Sequence, residues 1–334
     1  MSETLLDGHD VVLLDLDGTV YRGGELVPSA AGSVQDVRGR GVKVRFVTNN
    51  AAKSPQAVAD HLARLGLPTE PVEVSTSSQA GAAVLAENLP EGAKVLVVGT
   101  SALESEVDKV GLVPVREVGE EPVAVVQGHS PDTAWKNLAE ACLAIRAGAL
   151  WVACNEDVTL PTERGELPGN GAMVAALKAA TGQSPTVAGK PERPLLDNAV
   201  VSAGGTRALM AGDRLDTDIA GAVRAGMTSL MVLTGVHTPA DLLAAGPDKR
   251  PDHVAPDLSA LHRPGAESVV AEQPEWKVRV DDTVLELASN SGKDDPLGAL
   301  RTMCAVRWRH GSGAIAVRGA DPHADSALRT LGLS

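Results

Sequence analysis

The chain has 334 residues, 43% hydrophobic and 22% charged, and at about 150 residues per domain it has room for two globular domains and an appendage. An aromatic content of 2% supplies no interleaved rings on which bases stack, and a net charge of −13 argues against a general binder of nucleic acid or of anionic membranes. An anionic small molecule stays compatible, because its site needs only local positive charge.

Three cysteines, Cys142, Cys154 and Cys304, lack metal-ligand spacing, and so sparse a count fits a reducing compartment. The first ten residues hold no basic segment. No stretch approaches the roughly 18–20 apolar residues of a membrane span, so a cytoplasmic protein without a membrane partner is expected.

Residues 11–14, Val-Val-Leu-Leu, form an apolar run ending in polar residues and Gly18, the pattern of a buried parallel strand with functional groups at its carboxyl end. Residues 29–40 read as a helix stopped by Gly41, 42–47 as a second strand running into Thr48-Asn49-Asn50, and 55–65 as a helix stopped by Gly66. The rhythm restarts after residue 78: helix 79–88, strands 94–98 and 123–127, helix 132–147, strand 150–153, a loop over 155–171 and helix 172–180. It then resumes with helix 195–203, strand 208–211, helix 219–225 and strand 229–233. Residues 250–264, rich in Pro, Asp and His, read as a linker. Beyond it lie a hairpin over 275–288 turning at Asp281-Asp282, a helix opening at Asp295-Pro296, a strand near 314–317 and a helix over 323–331.

This order predicts an α/β protein with a Rossmann-like, mostly parallel sheet as core, residues 1–78 and 185–262. An α/β domain, residues 79–184, is inserted into it, and a small α+β extension, residues 263–334, follows. The extension holds nine Lys/Arg and ten Asp/Glu, so nearly all the negative charge belongs to the first 262 residues.

Four residue sets carry chemistry. Asp15-Leu16-Asp17-Gly18-Thr19 follows the first strand, and carboxylates at i and i+2 of an extended chain point to one side. Their closeness pushes their pKa values apart unless a cation neutralises them, so one can act as nucleophile and the other as general acid and base. The bland alternative is an Asp-rich cap of the next segment. Gly212-Asp213-Arg214-Leu215-Asp216-Thr217-Asp218 follows another strand and suits a hard divalent cation. Asp213 is the natural direct ligand, Asp218 can hold a metal-bound water, and Asp216 reads mainly as a helix cap. Thr48-Asn49-Asn50 can hydrogen-bond a phosphoryl oxygen or simply form a turn. Lys190 in Gly189-Lys190-Pro191 can be a fixed charge for phosphate or an ordinary surface lysine.

Taken in chain order, 15–19, 48–50, 189–191 and 212–218, the sets resemble the haloacid dehalogenase-like superfamily, in the phosphohydrolase subgroup with a large α/β cap inserted between the second and third motifs. The resemblance covers roughly residues 9–240. It implies that Asp15 attacks phosphorus and forms an aspartyl-phosphate, and that Asp17 protonates the leaving alkoxide and then activates water. It implies phosphate binding by Leu16, Gly18, Thr48, Asn49 and Lys190, with Mg²⁺ held by Asp15, Asp17, Asp213 and, through water, Asp218. The cap would close over the site and choose the substrate. Its loop Asn155-Glu156-Asp157 through Gly171 is similar to the subgroup's cap loop, so Asn155 and Asp157 are candidates for reading polyol hydroxyls. The alternative for both is a structural Asx-turn. His129 on another cap loop is a further candidate, with a structural histidine as its alternative.

The tail is unusual for the subgroup. The whole layout resembles the actinobacterial glycerol 3-phosphate phosphatases, whose carboxyl-terminal region is similar to part of a GNAT acetyltransferase fold. That resemblance implies hydrolysis of glycerol 3-phosphate to glycerol and phosphate, a step of glycerophospholipid metabolism. 2-Phosphoglycolate, pyridoxal phosphate and other small esters are alternatives. Arg309-His310-Gly311-Ser312-Gly313-Ala314 departs from the usual R-x-x-G-x-G/A pyrophosphate loop, so a structural or interaction role is expected of the tail. A phosphotransferase or phosphomutase, or a non-catalytic sensor, are the rival readings, and a homo-oligomer is left open.

Overall fold

Short apolar runs alternating with helices fold into parallel sheets, because each crossover helix returns the chain to lay the next strand in the same direction. The computed structural model describes residues 4–162, 164–281 and 283–333. It divides into two compact units, Met1–Val44 with Ala203–Ser334, and Arg45–Ser202. The first crossing of the chain falls inside the strand Lys43–Thr48.

In the first unit four parallel strands run in the order His253–Ala255, Thr228–Val232, Ala208–Gly212 and Val11–Asp15. Val11, Val12, Leu13 and Leu14 are fully buried, which is why this strand reads as an unbroken apolar run rather than an alternating one. The helix Ala30–Gly39 buries Val34 and Val37, and a turn at Gly41 with φ +76° ends it.

The expected linker is instead structure. It contains the edge strand His253–Ala255 and a 3₁₀ turn, Leu258–His262, with Val254, Leu258 and Leu261 buried. Its prolines and aspartates punctuate short elements; Asp257, for instance, accepts the Ser259 N–H at 2.8 Å. Composition reports such turns but not the burial between them.

The extension pairs Trp276–Asp281 with Val284–Ser289 antiparallel, and the latter with Ala316–Gly319 in parallel. Of the expected turn, Asp281 closes the first strand and Asp282 lies outside the described residues. Pro296–His310 begins as the sequence indicates, with the Asp295 carboxylate accepting the Gly298 N–H at 2.9 Å. Pro322–Thr330 follows, capped by Asp321. Leu285, Leu287, Leu300, Met303 and Leu328 share one apolar cluster with Leu215, Ile219, Met231, Leu242 and Val254. The extension and the core strands of this unit therefore have a common interior.

The second unit holds a five-stranded parallel sheet in the order Thr186–Val187, Leu150–Ala153, Ala124–Gln127, Lys94–Val98, Val113–Val115. Separate apolar clusters form around it, one with Leu103, Val107 and Val126, the other with Ile145, Trp151 and Leu177. Phe46–Thr48 pairs in parallel with Val74–Thr76. The sequence reading passed over the helix Ser101–Lys109, whose polar residues dilute its apolar stripe. It also gave as irregular a segment that forms the hairpin Thr159–Thr162 with Gly165–Pro168. Residues 45–78 and 185–202, grouped with the core by sequence, belong to this second compact unit, and the extension belongs to the first. Among the described residues no helix is long and apolar enough to cross a membrane.

Candidate active site

In the first unit the acids stand at strand carboxyl ends. Asp15 closes Val11–Asp15, and Asp213 follows Ala208–Gly212 directly. Asp218 lies in a π-helical turn, Leu215–Ile219, that enters the helix Ala220–Ala225. Ligand atoms of Asp15, Asp213 and Asp218 all lie within 4.8 Å of one another. Asp213 and Asp218 are 0% and 1% exposed. Three carboxylates so close in a water-poor site repel unless a cation or protons intervene. An all-oxygen donor set suits Mg²⁺ or another hard divalent ion.

The site is built to let Asp213 in. Gly18 has φ +85°, and a Cβ there would stand 2.5 Å from Asp213 Oδ2; a Cβ at Gly235 would overlap the same carboxylate outright. The Val236 N–H donates to Asp213 Oδ2 at 2.6 Å and Thr19 Oγ1 to Oδ1 at 3.5 Å. Thr234 Oγ1 donates to the Gly18 carbonyl at 2.5 Å, and the Leu215 N–H to His237 Nδ1 at 3.2 Å. The turn 234–237 was not singled out from sequence. Its signal is there, a Thr-Gly pair just beyond an apolar strand end, but nothing local says that Gly235 faces a carboxylate one strand and one helix earlier in the chain.

Asp218 Oδ2 accepts the Arg214 N–H at 3.0 Å. Asp216 instead pairs with the Arg214 side chain at 2.9 Å; burial pushes its carboxyl up, but the Arg214 hydrogen bond and charge outweigh this and hold it below the usual range. Neither this turn nor the helix Ala220–Ala225 has a side-chain cap, so Asp216 is an ion-pair partner of Arg214 rather than the expected helix cap. The Asp17 side chain is exposed and accepts Tyr21 Oη–H at 3.2 Å. Burial, and then the Asp17 and Asp15 charges, push the Tyr21 phenol well above its ordinary value, so it stays a donor.

In the second unit Asn49 is a hub. Its Nδ2 donates to both Asp157 oxygens at 3.2 Å and to the Lys190 carbonyl at 2.9 Å, while its Oδ1 accepts the Lys190 N–H at 2.8 Å. Asn155 Nδ2 donates to the Asn49 carbonyl at 2.6 Å, and Asn155 Oδ1 accepts the Asp157 N–H at 3.1 Å in an Asx-turn. Lys190 is 2% exposed, with Nζ 3.4 Å from the Val47 carbonyl. Thr48 Oγ1 accepts the Asn50 N–H at 3.1 Å. Lys190 is therefore a buried, fixed charge rather than a surface lysine. His129 is partly buried, and desolvation lowers its pKa, which keeps it neutral at pH 7.

A haloacid dehalogenase-like hydrolase model matches residues 12–113, and a HAD-hydrolase-like model matches residues 187–261. A GCN5-related N-acetyltransferase like domain matches residues 273–333. The chain belongs to the haloacid dehalogenase-like hydrolases. It is 47% identical to the D-glycerol 3-phosphate phosphatase of Mycobacterium tuberculosis over 96% of this chain and 90% of that protein. A crystal structure of glycerol phosphate phosphatase from that organism in complex with magnesium superposes with a TM-score of 0.95 at 46% identity, covering 100% of both chains. The 4-nitrophenylphosphatase of Thermotoga maritima superposes with a TM-score of 0.72 at 30% identity, over 78% of this chain and 98% of that one.

Proposed function

We propose that this protein is a Mg²⁺-dependent phosphomonoesterase that hydrolyses glycerol 3-phosphate to glycerol and phosphate. The observation that carries the reading is the convergence of Asp15, Asp213 and Asp218 oxygens within 4.8 Å at strand carboxyl ends. The near-full-length relatedness to a glycerol 3-phosphate phosphatase supports the substrate. Three free cysteines, two of them buried, support a cytoplasmic location.

The first unit does the bond making. Asp15 attacks phosphorus and becomes an aspartyl-phosphate, which splits one hard hydrolysis into two easier steps. Asp17, exposed and oriented by Tyr21, gives its proton to the departing glycerol alkoxide and then takes one from the attacking water. The water releases phosphate and returns Asp15 to its carboxylate. Asp15, Asp213 and Asp218 would hold Mg²⁺. When bound, the ion offsets the charge of the phosphoryl oxygens and of the approaching carboxylate.

Phosphate binding falls to the backbone around Leu16 and Gly18, to Thr48 and to the Lys190 ammonium. Asn49 acts in the same step by holding Lys190 and Asp157, since its amide is already bonded to both. Substrate choice belongs to the cap segment, residues 79–184, with His129, Asn155 and Asp157 as its readers.

The test is phosphate release from a panel of monoesters, with Mg²⁺ and with chelator. Glycerol 3-phosphate is expected to give the highest kcat/KM. A better 2-phosphoglycolate or sugar phosphate would overturn the substrate, and release only on adding an acceptor would point to phosphotransfer instead.

A further inference from the structure

The extension makes two backbone-directed hydrogen bonds to one short element of its own unit. The helix Pro239–Ala244 has only six residues, far below the roughly 12–15 at which an isolated helix begins to hold itself. Its position is therefore set by what it packs against. Leu242 and Leu243 are buried in the cluster shared with Leu300, Met303 and Cys304 of the extension. Trp308 Nε1 donates to the Leu242 carbonyl at 3.0 Å, and the Gly313 N–H to the Ala244 carbonyl at 2.9 Å. Both are helix-end carbonyls; that of Leu242 also accepts the N–H of the C-cap Ala245 at 3.1 Å. Arg250 closes the arrangement: its Nε donates to the Ala245 carbonyl at 3.2 Å, its Nη2 to the Gly311 carbonyl at 2.8 Å, and its guanidinium lies 5.5 Å from the Trp308 ring centre.

The other end of this helix leads straight to the acids. Thr238 caps it, forming a box with Asp241. The residues just before, Thr234 to His237, are those bonded to Gly18, Asp213 and Leu215. The path from Trp308 to the Asp213 carboxylate thus passes through one capped helix and one hydrogen-bonded turn.

We propose that the carboxyl-terminal extension is a positioning device for the cation site, with Trp308 as its anchor. By fixing the carboxyl end of Pro239–Ala244 it holds the turn 234–237, and through the Val236 N–H it holds the orientation of Asp213. This rests on the reading of Asp15, Asp213 and Asp218 as a Mg²⁺ site, and it accounts for a tail whose pyrophosphate-loop spacing is broken. Trp308 touches neither substrate nor reacting atoms.

The experiment uses the full chain. Trp308→Phe removes the indole donor and keeps a ring; Arg250→Gln is the milder second variant, for use if the first does not fold; Arg318→Ala, on an exposed ion pair of the same extension, is the control. Two quantities are read: hydrogen exchange of the Val236 and His237 amides in metal-free protein, and Mg²⁺ affinity by calorimetry. Trp308→Phe is expected to speed exchange at both amides and weaken Mg²⁺ roughly fivefold, the effect of losing about one hydrogen bond, while Arg318→Ala changes neither. Faster exchange confined to residues 239–244, with Val236, His237 and Mg²⁺ affinity unchanged, would overturn the proposal. If wild-type protein binds no Mg²⁺, the functional reading fails, and the exchange rates alone still decide whether the extension positions the turn.

Discussion

Both units place polar residues at the carboxyl ends of parallel strands, but the two sets are balanced differently. In the first unit, Asp15 and Asp213 follow two neighbouring strands and the turn 234–237 follows a third. The result is a concentration of negative charge. In the second unit, Thr48, His129, Asn155 and Lys190 each stand just beyond or at the end of a strand, and Asn155, Asp157 and the Lys190 backbone are bonded to one another through Asn49. That set is linked by hydrogen bonds, whereas three converging carboxylates repel one another unless a cation or protons intervene. Changes in the first unit should therefore strike chemistry and metal binding before stability. Changes in the second should cost stability and activity together.

The largest expected effect is at Asp15. Asp15→Asn keeps the shape but removes the nucleophile, so turnover should fall by about 10³-fold or more with an unchanged melting temperature, read by phosphate release and thermal unfolding. Substantial residual turnover would break the assignment of bond making to the first unit. Next comes Gly235→Ala. Its added carbon overlaps the Asp213 carboxylate, so Mg²⁺ affinity by calorimetry should drop by at least about tenfold. Unchanged affinity would mean that Asp213 is not a ligand.

The second unit is tested through Asn49→Ala. It leaves Asp157 and the Lys190 backbone without their shared partner, so about 1–3 kcal/mol of stability should be lost along with kcat/KM. Loss of activity with full stability would show that Asn49 contacts substrate rather than organising the loop. A smaller effect is expected of Tyr21→Phe. The Tyr21 hydroxyl donates to Asp17 and so favours its ionised form. Removing it should raise the pKa of Asp17, moving the pH–rate limb that Asp17 governs to higher pH, with kcat reduced by only about two- to tenfold.

The smallest concerns stability alone. Hydrogen bonds from the Arg207 and Thr206 N–H groups hold the Asp10 carboxyl at about 2. A depressed carboxyl stabilises the fold above its ordinary value of 3.8 and loses that effect as pH falls toward 2. Asp10→Asn should therefore melt lower than wild type at pH 7, and the gap should close below about pH 4.

Much of the site could be read in the linear chain because each motif is local. Asp15, Asp213 and Asp218 were named from their place just after apolar strands, and the structure gathers all three. Lys190 was legible as a candidate, but only its 2% exposure separates a fixed phosphate charge from a surface lysine. The Asx-turn of Asn155 is legible in sequence as its structural alternative, but its bond to the Asn49 carbonyl is not, since those partners are 106 residues apart.

Strand and helix order, motif chemistry and the likeness to one hydrolase family lie in the sequence itself, because burial periodicity and side-chain type are local properties. What folding alone decided is which distant residues share a contact. It made a Pro- and Asp-rich segment into an edge strand, set Gly235 against Asp213, and gave the extension one interior with the core strands of its unit. Those outcomes depend on close packing between segments far apart in the chain, and no window of sequence contains both sides of such a contact.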